Sequence, residues 1–293
     1  MSRKQRLLAK IAEEILGSSW RNVIWPRMEI IGDIIVLRRN LVSTTHMGND
    51  KLRHLGETLL ERIVNVRSVW LAYTPVQEYG KTRGFLHLAG EERSETIYRE
   101  HGCSFMLDIR KTYFSPRLNH EHGWFSAHVS EGESILNMFA GIGFFSIIPA
   151  CKKRTYSLAI DLNPDAYRFL LRNIVINKVE KYVEAVHGDA GISVIALGLE
   201  DSFDHVILPF PEKALYYLPF AYRAVKDKGE LHIFLHKEMS GPPSDTKAVI
   251  DEVLRRMKCL KPTRVEVIRT RLVRTVGPRL GQYIVSVKIE KRG

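Results

Sequence analysis

The sequence predicts an α/β protein: a parallel sheet with helices on both faces, preceded by a smaller α+β module. Two observations carry this. From Ser134 onward, apolar strand-like runs alternate strictly with helix-like ones, the pattern of a parallel sheet joined by crossover helices. Before that, short strands and helices alternate without glycine-rich loops, which suits a module of about 80 to 100 residues. The expected divisions are an N-terminal helix over 1–22, a small α+β domain over 23–100 and the large α/β domain over 101–293. Within the last, 101–130 is expected to be the join and part of the active site.

Residues 3–16 place Leu7, Leu8, Ile11 and Ile15 on one helical face, and Gly17 with Ser18 stops that helix. MEIIGDIIVLRR reads as two short strands around Gly32 and Asp33, residues 50–63 as a helix, and NVRSVWLAY as another strand. Residues 101–127 are less regular and dense in polar and aromatic groups, among them Tyr113, Arg117, His120, Glu121 and Trp124. Then come SILNMF, a helix after Gly143, TYSLAI, a helix from Pro164, YVEAVH, DHVILPF, a helix from Glu212, ELHIFL and a helix over 246–258. TRVEVIRT and QYIVSVKIE close the chain as an expected antiparallel pair, turned through Gly277 and Pro278.

Composition narrows the function classes. The 293 residues, 45% hydrophobic, suffice for one large domain or for an average domain with a smaller companion. Lys and Arg number 44 against 33 Asp and Glu, and the net charge of +11 suits a polyanionic partner, although solubility alone accounts for a basic balance too. Cys103, Cys151 and Cys259 are odd in number and far apart, so neither a CxxC clip nor a disulfide framework is expected, and a reducing, cytoplasmic setting is. No apolar run reaches the roughly 20 residues of a membrane helix. The basic, amphipathic start resembles a transit peptide, but Glu13 and Glu14 argue for a surface helix instead.

NMFAGIGFF lies between an expected strand and an expected helix. Gly141 and Gly143 allow a sharp turn and a close backbone approach to a ligand at the sheet's carboxyl edge, with Phe139 and Ala140 leading into it. Asp161 ends the next strand, 18 residues after Gly143, where a carboxylate accepts from both hydroxyls of a ribose. Phe144 and Phe145 stand where a third glycine would complete a dinucleotide fingerprint, and no Walker lysine follows, so NAD and ATP are disfavoured. S-adenosylmethionine needs no pyrophosphate cradle, and a shorter loop serves it. Asp189, in HGDA, is the candidate partner of the adenine amino group; its bland reading is a helix cap. Asn137 stands where such loops often carry an acid, so a neutral, water-mediated contact is expected there.

PRMEIIGDIIVL, AGEERSETIYREHG, DIRKTYFSPRLNHEH, NMFAGIGFFSI, AIDLNPDAYRFLLRNIVINK and VRTVGPRLGQYIV together resemble the archaeal and eukaryal tRNA guanosine-37 N1-methyltransferase family, which includes wyosine-pathway enzymes. YFSPRL with a glutamate three residues on is its specific signature. The resemblance implies a class I methyltransferase fold, S-adenosylmethionine as cofactor and the tRNA anticodon loop as partner, with a monomer and no membrane association expected. It assigns Glu121 as general base for guanine N1, whose proton must leave before the nitrogen attacks a sulfonium methyl. It further implies a cation for the charge building on O6, for which Arg83 and Lys81 are both candidates. Tyr113 resembles the residue that shapes the base pocket, and Arg117 the one that binds a nearby phosphate.

After the fourth strand the chain reads Pro209-Phe210-Pro211 where monofunctional members carry Asn-Leu-Pro. Pro209 donates no hydrogen bond. That form resembles the archaeal subgroup that also methylates carbon 7 of 4-demethylwyosine in isowyosine synthesis, and an apolar edge tolerates a tricyclic base. The family's usual N-terminal elbow-binding domain has no evident counterpart ahead of the matched region. His120 and His122 flank Glu121, but no third ligand lies at metal spacing; solvated or RNA-facing histidines and no metal are expected. The alternatives are an aminocarboxypropyl transferase of the same pathway, a methyltransferase acting on protein or a small molecule, and a noncatalytic RNA-binding module. Product mass and cofactor binding separate them.

Overall fold

A computed structural model describes residues 3–42, 48–75, 83–239, 246–277 and 279–291. The chain divides into two compact units: Met1–Arg99 with Ser104–Phe114, and Glu100–Cys103 with Ser115–Gly293.

In the first unit, α1 (Arg3–Leu16) precedes β1 (Ile24–Ile31), β2 (Ile34–Arg39), α2 (Asn49–Arg62), β3 (Ser68–Ala72) and β4 (Phe85–Gly90). The four strands form one sheet in sequence order, with β2 and β3 parallel and the outer pairs antiparallel. Leu8, Ile11 and Trp20 from the N-terminal segment bury with Leu55 and Leu59 of α2 and Ile35, Leu37 and Leu71 of the sheet. The segment 3–22 therefore contributes Leu8, Ile11, Ala12, Leu16 and Trp20 to this unit's core. The β1–β2 turn needs its glycine: Gly32 has φ +57°, and a Cβ there would lie 2.6 Å from the carbonyl oxygen of Ile97. Asp33 beside it accepts from Arg93 and Thr96, fixing the turn to the next segment.

β5 (Glu95–Glu100) and β6 (Cys103–Asp108) pair as a two-stranded hairpin. His101 and Gly102 both have positive φ, as a two-residue turn demands. Its tip, 100–103, belongs to the second unit and its stems to the first. The segment expected as the join, 101–130, thus contains this turn, β6, an irregular stretch over 109–115 and a helix.

That helix, α3 (Asn119–His128), opens the rest of the second unit. β7 (Ser134–Asn137), α4 (Phe144–Lys153), β8 (Tyr156–Asp161), α5 (Pro164–Ile176), β9 (Val183–His187), α6 (Ala190–Ala196), β10 (Phe203–Leu208), α7 (Ala214–Ala224), β11 (Val225–Glu238), α8 (Lys247–Lys258), β12 (Arg264–Gly277) and β13 (Leu280–Glu290) follow. Seven strands lie in the order β12-β13-β11-β10-β7-β8-β9. Those from β11 to β9 are parallel, and β13 runs antiparallel to both neighbours. This is the expected parallel sheet with its antiparallel closing pair. α5 starts where local chemistry dictates: Pro164 occupies the first turn, and the Asn163 side chain accepts from Asp165 N at 3.0 Å. The chain order reverses at β7, so the loops after β7 and β10 leave the sheet side by side, where open α/β sheets bind ligands.

Candidate active site

The glycine loop hangs between the two strands that flank β7. Met138 N donates to the Ile207 carbonyl of β10 and Ala140 N to the Ile160 carbonyl of β8. Gly141 and Gly143 adopt φ +56° and +107°. At Gly143 a side chain is doubly excluded, because a Cβ would meet Ile147 and Leu170 at 2.7 Å. At Gly141 a Cβ would meet nothing within 4 Å, so there glycine answers to the backbone angle alone. Buried Asn173 donates to the Ile142 carbonyl at 3.0 Å and braces the loop from α5.

Asp161 holds the loop from the other side. One carboxylate oxygen accepts from Gly141 N at 2.6 Å and the other from Asn163 N at 2.9 Å. Burial pushes its carboxyl above the ordinary range, and those two amides partly offset the effect. Each oxygen keeps a second lone pair for a hydroxyl. Asp189 caps α6, accepting from Ile192 N at 3.0 Å, and its second oxygen accepts from the Tyr217 hydroxyl. Burial and that carboxylate push the Tyr217 phenol up, so it stays a donor. The helix-cap reading of Asp189 is thus realised, with lone pairs to spare. Phe139 meets Phe210 and Tyr217 edge-on at 5.2 and 5.0 Å, an aromatic wall beside the loop. Asn137 is fully buried and donates to Ser146 of α4 at 3.1 Å. It locks strand to helix rather than standing at a solvated edge.

Glu121, in the first turn of α3, is completely buried. Its carboxylate accepts from Arg269 at 2.7 Å and from Arg271. The Arg269 guanidinium also lies 3.9 Å over the Trp124 ring, one turn along α3. Arg274 of the same strand reaches Ser115, ahead of the Pro116–Leu118 turn. Three arginines of β12 therefore grip the SPRL-to-α3 segment. Sequence reasoning missed them: the expected strand TRVEVIRT ended at Thr270, whereas β12 runs on to Gly277 and so puts Arg269 and Arg271, two apart, on one face. A register shift between Leu272 and Arg274 accompanies the addition of the third.

The flanking histidines differ. His120 is exposed and lies 2.6 Å from Arg271. His122, expected to be solvated or RNA-facing, is buried: it bonds Glu100 and stacks on Phe144 at 4.6 Å. Helical rotation between successive residues turns it away from Glu121 into the interior. Burial lowers its imidazole below the ordinary range, against the pull of Glu100.

Arg83 and Tyr113 line one pocket of the first unit, with Arg38, Glu29, Phe85 and Phe114. Arg38 engages Glu29 through two bonds of 2.7 and 2.8 Å. Arg117 is exposed on the Pro116–Leu118 turn. Lys81 lies outside the described residues. After β10, Pro209 and Pro211 are half-buried, the Phe210 carbonyl accepts from Lys213 and Ala214 in a turn, and α7 begins at Ala214 rather than Glu212. Glycine loop, Asp161, Asp189 and the Pro209–Pro211 segment all follow strands at the sheet's carboxyl edge.

Comparison with known proteins finds relatives of the same fold. The TRM5/TYW2 methyltransferase domain model matches residues 96–268. The tRNA 4-demethylwyosine(37)-methyltransferase Taw21 of Saccharolobus solfataricus is 33% identical over 272 residues, spanning 90% of this chain and 94% of its own. The crystal structure of Trm5b from Pyrococcus abyssi matches with TM-score 0.76 at 29% identity, over 90% of this chain and 75% of that one. The complex of aTrm5 with tRNALeu matches with TM-score 0.79 at 27% identity, over 95% and 78%.

Proposed function

The chain belongs to the TRM5/TYW2 methyltransferase family, and from that membership we propose that it methylates the base at position 37 of tRNA: N1 of guanosine, and carbon 7 of 4-demethylwyosine. The observation that carries the reading is near end-to-end similarity to a 4-demethylwyosine methyltransferase, joined to an edge at Pro209 that offers no N–H.

The cofactor is S-adenosylmethionine, whose sulfonium, when bound, supplies an electrophilic methyl. The residues present fit it. Gly141 leaves the loop backbone approachable, Asp161 keeps lone pairs for two ribose hydroxyls, and Asp189 keeps one for an adenine amino group. Phe139 with Ala140 and Gly143 completes the loop that receives it.

Glu121 takes the proton from N1, and for this one guanidinium must yield its place on the carboxylate. Arg271, with 39% of its side chain exposed, is the one that yields, while Arg269, at 14%, remains. Arg83 supplies the cation for charge on O6, with Lys81 as the alternative, and Tyr113 bounds the base. Arg117 binds a phosphate of the anticodon stem-loop. Pro209 and Pro211 give the edge that admits either base.

A cytoplasmic monomer completes the proposal. The odd number and wide spacing of Cys103, Cys151 and Cys259 in the sequence suit a reducing compartment. Labelled S-adenosylmethionine with unmodified tRNA and with 4-demethylwyosine tRNA, followed by nucleoside mass spectrometry, tests the reading. Methyl adducts on both are expected. Label on guanosine alone removes the second activity, and an aminocarboxypropyl mass replaces the reaction.

A further inference from the structure

Against the same sheet, four side chains from three elements converge. His128 closes the last turn of α3, His205 lies on β10, and Glu230 and His232 lie on β11. His205 is paired in register with Glu230, and Ile207 with His232. His205 Nδ1 lies 3.2 Å from His232 Nε2 and 3.6 Å from Glu230 Oε2. His232 Nε2 lies 3.7 Å from the same oxygen, and His128 Nε2 lies 2.6 Å from it. The donor atoms of His128, His205 and Glu230 all fall within 4.8 Å of one another.

These separations have a meaning. Ligands about 2.0–2.1 Å from a tetrahedral ion stand roughly 3.3 Å apart. The separations of 3.2, 3.6 and 3.7 Å lie near that spacing, whereas the 2.6 Å His128–Glu230 contact is a hydrogen bond that opens when both become ligands. Two of the imidazoles are also oriented from behind. His205 Nε2 is 2.9 Å from Glu133, and His232 Nδ1 is 2.9 Å from Ser286 of β13. Such outer partners are what fix ring and tautomer at histidine metal sites. His232 is fully buried. Trp124 stacks on His128 and Phe125 meets His232 edge-on, walling the cluster with aromatic carbon.

We propose that His128, His205, His232 and Glu230 form a structural site for one divalent ion of the zinc class, which pins the end of α3 to the sheet. Three imidazoles and one carboxylate suit zinc above calcium or magnesium. The carboxylates of Glu230 and Glu133 balance the ion's two charges. Sequence spacing hid the set, since its members stand up to 104 positions apart (232 − 128). His205 and Glu230 lie toward the amino end of the strands and His232 is level with Asn137; the ion takes no part in methyl transfer. Its effect on the reaction is positional: α3 carries Glu121 in its first turn and His128 in its last.

The competing arrangement is a metal-free chain, Ser286 to His232 to His205 to Glu133, in which every group is also satisfied. Full-length protein, freed of any tag and stripped by a chelator, separates the two when titrated with Zn²⁺ and with Co²⁺. Expected are one equivalent by elemental mass spectrometry, a tetrahedral Co²⁺ absorption spectrum, and a melting temperature raised by Zn²⁺. His128→Ala, at the partly exposed rim, should lose the Co²⁺ spectrum while keeping its far-ultraviolet circular dichroism. Glu133→Gln should bind about 10–100-fold more weakly. No uptake at micromolar metal by the wild-type chain, an octahedral Co²⁺ spectrum, or equal uptake by His128→Ala would overturn the proposal in favour of the hydrogen-bonded chain.

Discussion

The two ends of the C-terminal sheet hold their charged groups by different means. At the carboxyl end, Asp161 and Asp189 are tied to backbone amides close along the chain: Asn163, Ile192 and, across one loop and helix, Gly141. At the amino end, Glu230 is tied to His128 and Glu133 to His205, across 102 and 72 positions. Glu121 stands between the two cases, on a local helix turn but ion-paired with β12 about 150 positions away. A carboxylate held by amides keeps lone pairs for a ligand: Asp161 is held by amides alone, and Asp189 adds only the Tyr217 hydroxyl. A group held by distant side chains exists only when the whole sheet has formed, so it serves to position an element.

The largest effect expected from this contrast is at Glu121. Glu121→Gln should lower single-turnover methyl transfer about 10²–10⁴-fold with the S-adenosylmethionine Kd unchanged. An unaltered rate would reduce Glu121 to an anchor for Arg269 and Arg271 and break its place between the two ends. Next is Asp161→Asn, which removes charge from hydrogen bonds each worth roughly 1.5–3 kcal/mol. Calorimetry should show cofactor binding weakened about tenfold to a hundredfold. Glu133→Gln should leave that same Kd untouched; if it does not, the two ends are not separable.

A smaller effect is expected at Arg117. Arg117→Ala should weaken tRNA binding a few-fold and reduce the slope of log K against log salt by about 1, measured by filter binding across salt. Smallest is a pH effect at His122. Its folded pKa lies below the unfolded value, so the native state resists a proton that the unfolded chain accepts. Stability is therefore full above the ordinary imidazole pKa of about 6.5 and falls as pH drops below it, by at most about 1.4 kcal/mol per pH unit. Denaturant melts at descending pH should show this slope, and His122→Gln should flatten it.

Much of the fold was legible because it is written in short periods. The alternation after Ser134, the stops at Gly17 and Gly32, and the Asn163-Pro164 start of α5 are local statements about backbone angles and burial. The glycine loop and Asp161 were legible for the same reason, since a strand, a tight turn and an acid at the next strand's end are set by adjacent chemistry. α3 was not legible: its stripe of Glu121, Trp124, Phe125 and His128 mixes charge with aromatic rings, and so carries no clean apolar period. His122 was misjudged because the residue that buries it, Glu100, sits at a hairpin tip 22 positions earlier.

By itself the sequence determined which residue types stand at each strand end, the conformations of its turns and the motifs that carry the family likeness. Only the tertiary structure decided which charges meet. It gave Glu121 two guanidiniums from β12, shut Asn137 against Ser146, and gathered His128, His205, Glu230 and His232 into one cluster. The reason is physical: periodicity encodes the direction a side chain takes from its own backbone, whereas an ion pair depends on where a second backbone runs, and sheet order fixes that only after collapse.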